Sequence, residues 1–133
     1  MHKRSKRLIV LWVGVLLAVG ACATQQSLVT IGPAKGENVI TVKASDFKFE
    51  PNNIKAYKSN VIIFQIENVS GSVHNFTVKD PQGHTVKSIS LPSKEIVQVK
   101  ISLSETGTYE FYCDKPFHSG FGMKGQIVVI QEP

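Results

Sequence analysis

Residues 97–103 read VQVKISL, a stretch in which every second side chain is apolar. Successive side chains of a β-strand point to opposite faces, so this alternation predicts a strand with one face against a core. Residues 62–66 (IIFQI) and 109–113 (YEFYC) alternate in the same way. Further strands are expected at residues 39–44, 73–80, 85–91 and 124–131.

Turn-forming residues separate these apolar runs, and no segment of the domain has a convincing helical period. Examples of the turns are Asp80-Pro81-Gln82-Gly83 and Glu105-Thr106-Gly107. Seven or eight short strands within about 95 residues are typical of an all-β fold. We therefore predict a two-sheet Greek-key β-sandwich.

The distribution of charge excludes one class of partner. The chain has 133 residues, enough for one domain, and a formal net charge of +5. Four of its basic residues lie within the first seven positions, and residues 22–133 hold 11 Lys plus Arg against 10 acids, a net charge of +1. Because these charges are interspersed and form no basic stripe, nucleic acid is not an expected partner.

The first 22 residues have the organisation of an export signal. A basic segment at residues 2–7 precedes 14 uncharged, mostly apolar residues at 8–21, a run too short for a stable transmembrane helix. The sequence Val19-Gly20-Ala21-Cys22 resembles a bacterial lipoprotein cleavage box, which implies that Cys22 is lipidated. Two alternatives remain open: Cys22 is unmodified, or it forms a disulfide with Cys113.

The expected domain organisation follows from this signal. Residues 1–21 are predicted to be a lipoprotein signal peptide, and residues 22–37 a lipidated cysteine with a flexible tether, because they show no strong periodicity. Residues 38–133 would form the β-domain. Such a protein would be exported and lipid-anchored in the bacterial cell envelope, in the periplasm or at the outer face of a membrane.

A group of side chains near the C-terminus indicates metal binding. Cys113, His118 and Met123 follow one another at intervals of four intervening residues, on a loop between two expected strands. Taken singly, they would more often be a buried thiol, a turn residue and a core residue. Together they predict a metal site, and His74, at the start of an earlier strand, is a candidate fourth ligand.

The donor atoms favour one metal. Thiolate and thioether are soft ligands and imidazole suits copper, so two histidines, one cysteine and one methionine favour a mononuclear blue-copper site. Zinc is a weaker candidate, because structural zinc prefers closed tetrahedra of cysteine and histidine. Two cysteines are too few for an iron–sulfur cluster.

The stretch from Gly107 to Ile130 resembles the cupredoxins, the small blue-copper proteins that include auracyanin, rusticyanin, plastocyanin and azurin. It shares with them a Gly-x-Tyr-x-Phe-Tyr-Cys strand, the Cys-x4-His spacing and a Gly-Met-Lys-Gly segment. The resemblance implies one copper ion that cycles between Cu(I) and Cu(II). It also implies that His74, Cys113 and His118 are equatorial ligands and that Met123 is the axial ligand.

The resemblance further implies that Asn75 supports the site from outside the ligand set, its backbone N–H directed at the thiolate and its side chain bracing the ligand loops. The function it implies is one-electron transfer by a monomer, with redox proteins such as cytochromes or an oxidase as partners. An enzyme is not expected, because a second copper site would need further histidines and only His84 remains in the domain. Copper storage, or delivery to an envelope copper enzyme, is the alternative.

Uncharged residues surround His118 in the sequence and suggest two readings. Pro116, Phe117, Gly120 and Phe121 could form an apolar docking patch around the exposed edge of the imidazole. Alternatively, the two phenylalanine rings belong to the core.

Overall fold

The computed structural model describes residues 28–33 and 36–133, which form β-strands and turns. The ten strands are β1 (Leu28–Thr30), β2 (Glu37–Ser45), β3 (Lys48–Glu50), β4 (Asn53–Tyr57), β5 (Val61–Asn68), β6 (His74–Lys79), β7 (Thr85–Leu91), β8 (Ile96–Ser102), β9 (Gly107–Tyr112) and β10 (Lys124–Ile130). One sheet has the order β1-β4-β10-β9-β6-β7 and the other β3-β2-β5-β8. The predicted all-β two-sheet sandwich is confirmed. No helix among the described residues is long and apolar enough to cross a membrane.

The structure contains more strands than the alternation predicts. The three additional strands are β1, β3 and β4, which have only three to five residues each. In so short a segment a period of two does not stand out from chance. These strands are fixed instead by their neighbours: β3 pairs with the end of β2, and β4 lies in parallel beside β10.

Part of the segment predicted as a tether, residues 22–37, is paired in a sheet. Leu28–Thr30 pairs in parallel with β4, and the Ile31 N–H donates to Lys55 O at 2.8 Å. The Ile31 side chain is buried in the core. Without this segment β4 would be an edge strand with unpaired backbone groups, so the chain is held by the sheet here. Residues 22–27, including the proposed lipidation site Cys22, lie outside the described residues.

The core between the sheets is built around an aromatic cluster. Its ring centroids lie 5.2–6.2 Å apart in edge-to-face or tilted pairs, the arrangements that aromatic rings prefer. Two of the rings come from each sheet and all are fully buried: Phe49, Phe64, Phe76 and Phe111. Two of these rings lie two positions from residues of the candidate site: Phe76 follows His74, and Phe111 precedes Cys113.

Candidate metal centre

Three potential ligands converge at one end of the sandwich. His74, Cys113 and His118 each offer one ligand atom, and these atoms lie within 4.8 Å of one another. The His74 Nδ1 and His118 Nδ1 atoms are 3.2 Å apart, and Cys113 Sγ lies 3.5 Å from His118 Nδ1. The structure therefore brings together a residue of β6 and two residues that follow β9, across 44 positions of sequence.

Strand alternation explains how two of these side chains reach the interior. Phe76 and His74 are two residues apart on β6, so they share the inner face of that strand. Phe111 and Cys113 are related in the same way at the end of β9. All four side chains are buried, and the two phenylalanine rings lie 5.2 Å apart. The imidazole of His74 and the thiol of Cys113 therefore lie on the same inner strand faces as two rings of the aromatic cluster.

The loop from Cys113 to Met123 is closed by its own backbone hydrogen bonds. The Cys113 N–H donates to Met123 O at 3.0 Å, and the Met123 N–H donates to His118 O at 2.9 Å. Gly122 has a φ of +112°, a conformation that favours glycine because it has no Cβ. The two ends of the loop therefore meet beside the cluster, and His118 lies between them.

Met123 is fully buried at the point where this loop returns to the core. Its backbone is bonded to both Cys113 and His118, so its side chain enters the interior next to them. Cys113 itself carries a free, buried thiol. All four residues predicted from the sequence as ligands are thus gathered at the same end of the sandwich.

Asn75 joins the two segments that carry the ligands. Its Oδ1 accepts a hydrogen bond from the Asp114 N–H at 2.7 Å, directly after Cys113. Asp114 is held a second time, because the Thr77 hydroxyl donates to its Oδ2 at 3.3 Å. These two bonds between β6 and the loop fix the distance between the strand that bears His74 and the loop that bears Cys113.

The electrostatic environment keeps His74 in the form that binds metals. Burial of the imidazole, and then the neighbouring His118, lower the pKa of His74 below its ordinary value of 6.5. The carboxylate of Asp46 acts in the opposite direction but does not overcome them. At neutral pH the ring is therefore uncharged, with one nitrogen free to bind a metal.

Three residues near the cluster are not among the site residues that the sequence predicts. Ser70 Oγ lies 2.8 Å from His74 Nε2, and Asp46 Oδ1 lies 3.5 Å from the same nitrogen. The ring of Phe47 packs edge-on against the ring of His118, with centroids 5.1 Å apart. Asp46 and Phe47 form the turn between β2 and β3, so this turn touches both histidines.

His84 differs from the two histidines of this site in its exposure to solvent. Its side chain is 78% exposed and its Nδ1 lies 3.1 Å from Asp80 Oδ2, within a turn. The side chain therefore lies at the surface, bonded to a neighbour in its own turn. Among the described residues, the group formed by His74, Cys113 and His118 is the one with metal-ligand geometry.

The chemistry of the donors fits copper. Two imidazole nitrogens and one thiol sulfur are the trigonal donor set of a blue-copper site, and the thioether of the buried Met123 is the type of weak donor that such sites add. No carboxylate belongs to the group, which argues against the hard cations that select oxygen. The fully buried thiol also lies where solvent is excluded.

Comparisons with known proteins agree with the fold. The model of the family described as "Cupredoxin-like domain" matches residues 9–129. The chloroplastic plastocyanin of Silene latifolia subsp. alba is 31% identical over 127 residues, covering 88% of this chain and 72% of the plastocyanin.

Two solved structures have a similar fold. Auracyanin A of Chloroflexus aurantiacus, described as a "blue" copper protein, superimposes with a TM-score of 0.61 at 18% identity, covering 71% of this chain and all of that one. The metal-binding domain of the Cu(I)-exporting P-type ATPase of Streptococcus pneumoniae D39 has a TM-score of 0.60 at 16% identity, covering 80% and 98%.

The chain belongs to the cupredoxin family. Copper as the cofactor, which the sequence predicts, is confirmed by this membership and by the four residues placed to form one site.

Proposed function

We propose that this protein is a mononuclear blue-copper electron carrier, with His74, Cys113 and His118 as equatorial ligands and Met123 as the axial ligand. The observation that carries the proposal is the buried histidine–cysteine–histidine group, whose ligand atoms lie within 4.8 Å of one another. Copper bound there supplies the one-electron Cu(I)/Cu(II) couple. The likeness to a plastocyanin, at 31% identity, supports the same function.

The role of the polypeptide is to hold the four side chains still. The aromatic cluster next to His74 and Cys113 leaves these two side chains little room to move, because close-packed interiors resist small displacements. The hydrogen bonds from Cys113 N–H to Met123 O and from Asp114 N–H to Asn75 Oδ1 tie the loop to itself and to β6. Side chains held in this way need not rearrange when the charge of the site changes.

We place the contact with redox partners at an apolar patch around His118. Phe117 and Phe121 on its loop are 78% and 70% exposed, and Phe47 beside them is 44% exposed. Single exposed apolar side chains are common, but a contiguous group of exposed aromatic rings is typical of an interaction site. A cytochrome or an oxidase that binds this patch would approach the half-buried ring of His118, the ligand nearest the surface.

Export and anchoring belong to the same proposal. The signal at residues 1–21 and the lipoprotein-like Cys22 support a carrier held at the cell envelope, periplasmic or at an outer membrane face. We expect the protein to act as a monomer that presents the apolar patch to its redox partner. Anchored by lipid, the protein would meet membrane-bound redox partners in two dimensions.

The experiment that tests the function loads the full chain with Cu(II). We expect one equivalent to bind, with an intense blue absorption, and to stay bound when a competing chelator is added. Colourless binding, or transfer of most of the copper to the chelator, would instead favour storage or delivery. The buried Cys113 and Met123 favour retention, because release would require the loop to open.

Replacing Met123 with leucine is expected to raise the reduction potential while copper stays bound. The substitution keeps the core volume but removes a sulfur donor, and an apolar neighbour disfavours the more highly charged Cu(II) state. Voltammetry and a copper titration measure the two effects, and affinity should fall by less than about tenfold. The control is Leu103→Met, the reverse exchange at another buried residue. Leu103 precedes β9, whereas Cys113 follows the other end of that strand. Loss of copper binding in Met123→Leu would count against the axial assignment.

Replacing Phe117 with serine is expected to slow electron exchange with a c-type cytochrome roughly tenfold, equivalent to about 1.4 kcal/mol of docking contact. Phe117 is a surface residue, so the potential and the visible spectrum should not change. Stopped-flow mixing measures the rate. The matched control is Val39→Ser, which removes an apolar side chain that is 61% exposed on β2. Equal slowing by both variants would argue against a patch localised at His118.

A further inference from the structure

Ser70 lies at the centre of a buried polar turn that leads into β6. The turn is organised by Asn68, which is 1% exposed. Its Nδ2 donates to Leu91 O at 2.9 Å and Ser72 O at 2.8 Å, and is also 3.1 Å from Pro92 O. Its Oδ1 accepts from the Ser70 N–H at 3.0 Å. The backbone on both sides of Ser70 is therefore fixed before the chain reaches His74.

The hydroxyl of Ser70 has a full set of partners. It lies 2.9 Å from Asn68 Oδ1 and 3.0 Å from Ser72 O, both of which can only accept, and the Ser72 N–H donates to it at 3.1 Å. Its remaining neighbour is His74 Nε2, at 2.8 Å. A hydroxyl has one hydrogen, and two oxygen acceptors compete for it. The lone pair left on Oγ then suits a donor at His74 Nε2.

A second acceptor faces the same ring nitrogen. Asp46, in the turn between β2 and β3, has its Oδ1 3.5 Å from His74 Nε2. A carboxylate accepts and does not donate at neutral pH. Both neighbours of Nε2 therefore favour the tautomer with hydrogen on Nε2. In that tautomer Nδ1 carries the lone pair, and Nδ1 is the atom that faces His118 Nδ1.

The geometry points to Ser70 as a positioning residue that fixes the tautomer and the orientation of His74. Its hydroxyl accepts the Nε2–H, which turns the Nδ1 lone pair towards the ligand group. The consequence for copper rests on the proposed function, whereas the tautomer itself does not. Hydrogen bonds of this kind to a ligand histidine typically contribute tenfold to hundredfold in metal affinity.

The first measurement uses the metal-free, full-length protein. At a pH where both histidines are neutral, long-range ¹H–¹⁵N NMR of the imidazoles reports which nitrogen of His74 carries the hydrogen. We expect the Nε2–H form to dominate in the unaltered protein and the Nδ1–H form to become detectable in Ser70→Ala. A dominant Nδ1–H form in the unaltered protein overturns the inference, whatever the variants do.

The second measurement is Cu(I) affinity by competition with a chelator. Ser70→Ala should bind roughly ten to a hundred times more weakly, and Ser70→Thr, which keeps the hydroxyl, should recover most of the loss. Ser72→Ala is the matched control, because only the backbone of Ser72 takes part in the turn. Affinity and tautomer unchanged in Ser70→Ala, or no recovery in Ser70→Thr, would contradict the inference.

Failure of the proposed function has a different signature. A protein that binds copper without a blue absorption would refute the electron-carrier assignment, yet its metal-free form would still show the His74 tautomer controlled by Ser70. The NMR result therefore decides the role of Ser70 independently of the use to which the copper is put.

Discussion

Replacing Cys113 with serine is expected to abolish the intense blue absorption of the copper-loaded protein. The colour of a blue-copper site depends on its cysteine thiolate, and a serine hydroxyl neither ionises at neutral pH nor offers a soft donor. Serine is nearly the same size, so the fully buried position is not overfilled. Visible spectra recorded during a Cu(II) titration of the purified variant measure the loss, which should be essentially complete.

The chain contains the matched control for this experiment. Cys22→Ser makes the same chemical change at the other cysteine, in the part of the sequence that we assign to lipid attachment. It should leave the blue absorption unchanged while preventing the lipid modification, which mass spectrometry detects. A blue Cys113→Ser protein, or a colourless Cys22→Ser protein, would show that the thiolate has been assigned to the wrong residue.

Replacing Gly125 with alanine is expected to destabilise the metal-free fold by about 1–3 kcal/mol or more. A Cβ at this position would lie 2.3 Å from Phe111 Cζ and 2.4 Å from Asn52 O. Gly125 pairs with Phe111 across β9 and β10, so the ring of this core residue covers it directly. Asn52 O accepts a hydrogen bond from the Gln126 N–H at 2.9 Å, so neither this backbone group nor the packed ring of Phe111 can move without disturbing the core next to the metal site.

The loss should appear as a lower midpoint in urea unfolding of the metal-free protein, with the slope of the transition unchanged. Gly71→Ala is the control, since a Cβ there meets nothing within 4 Å and its φ lies outside the left-handed region. That variant should unfold within about 0.5 kcal/mol of the unaltered protein. Equal midpoints for both variants would mean that the packing of Phe111 on Gly125 is looser than described.

The sequence predicts the central strands well because their pattern is strong. Every second residue is apolar throughout residues 62–66 and 97–103, and these stretches mark β5 and β8, which lie side by side in one sheet. Strand β1 is different: its three residues carry no period, and only the free edge of β4 decides that they pair. A tether and a short edge strand therefore look alike in sequence. What distinguishes them is pairing with a strand that is distant in the sequence.

The site divides in a similar way. The spacing of Cys113, His118 and Met123 is local and can be read directly, because a single loop carries all three. His74 depends on resemblance to a family, since no local spacing connects it to the loop. The contacts of Ser70 and Asp46 with His74 exist only once separate turns are brought together in the fold, so the sequence gives no warning of them.

The most direct test of the central claim is a redox titration of the copper-loaded, full-length protein followed by its blue absorption. We predict that the absorption disappears on reduction and returns fully on oxidation. The data should follow a one-electron Nernst curve, about 59 mV per tenfold change in the ratio of oxidised to reduced protein. Loss of copper on reduction, or an absorption that does not return, would contradict a protein that carries electrons.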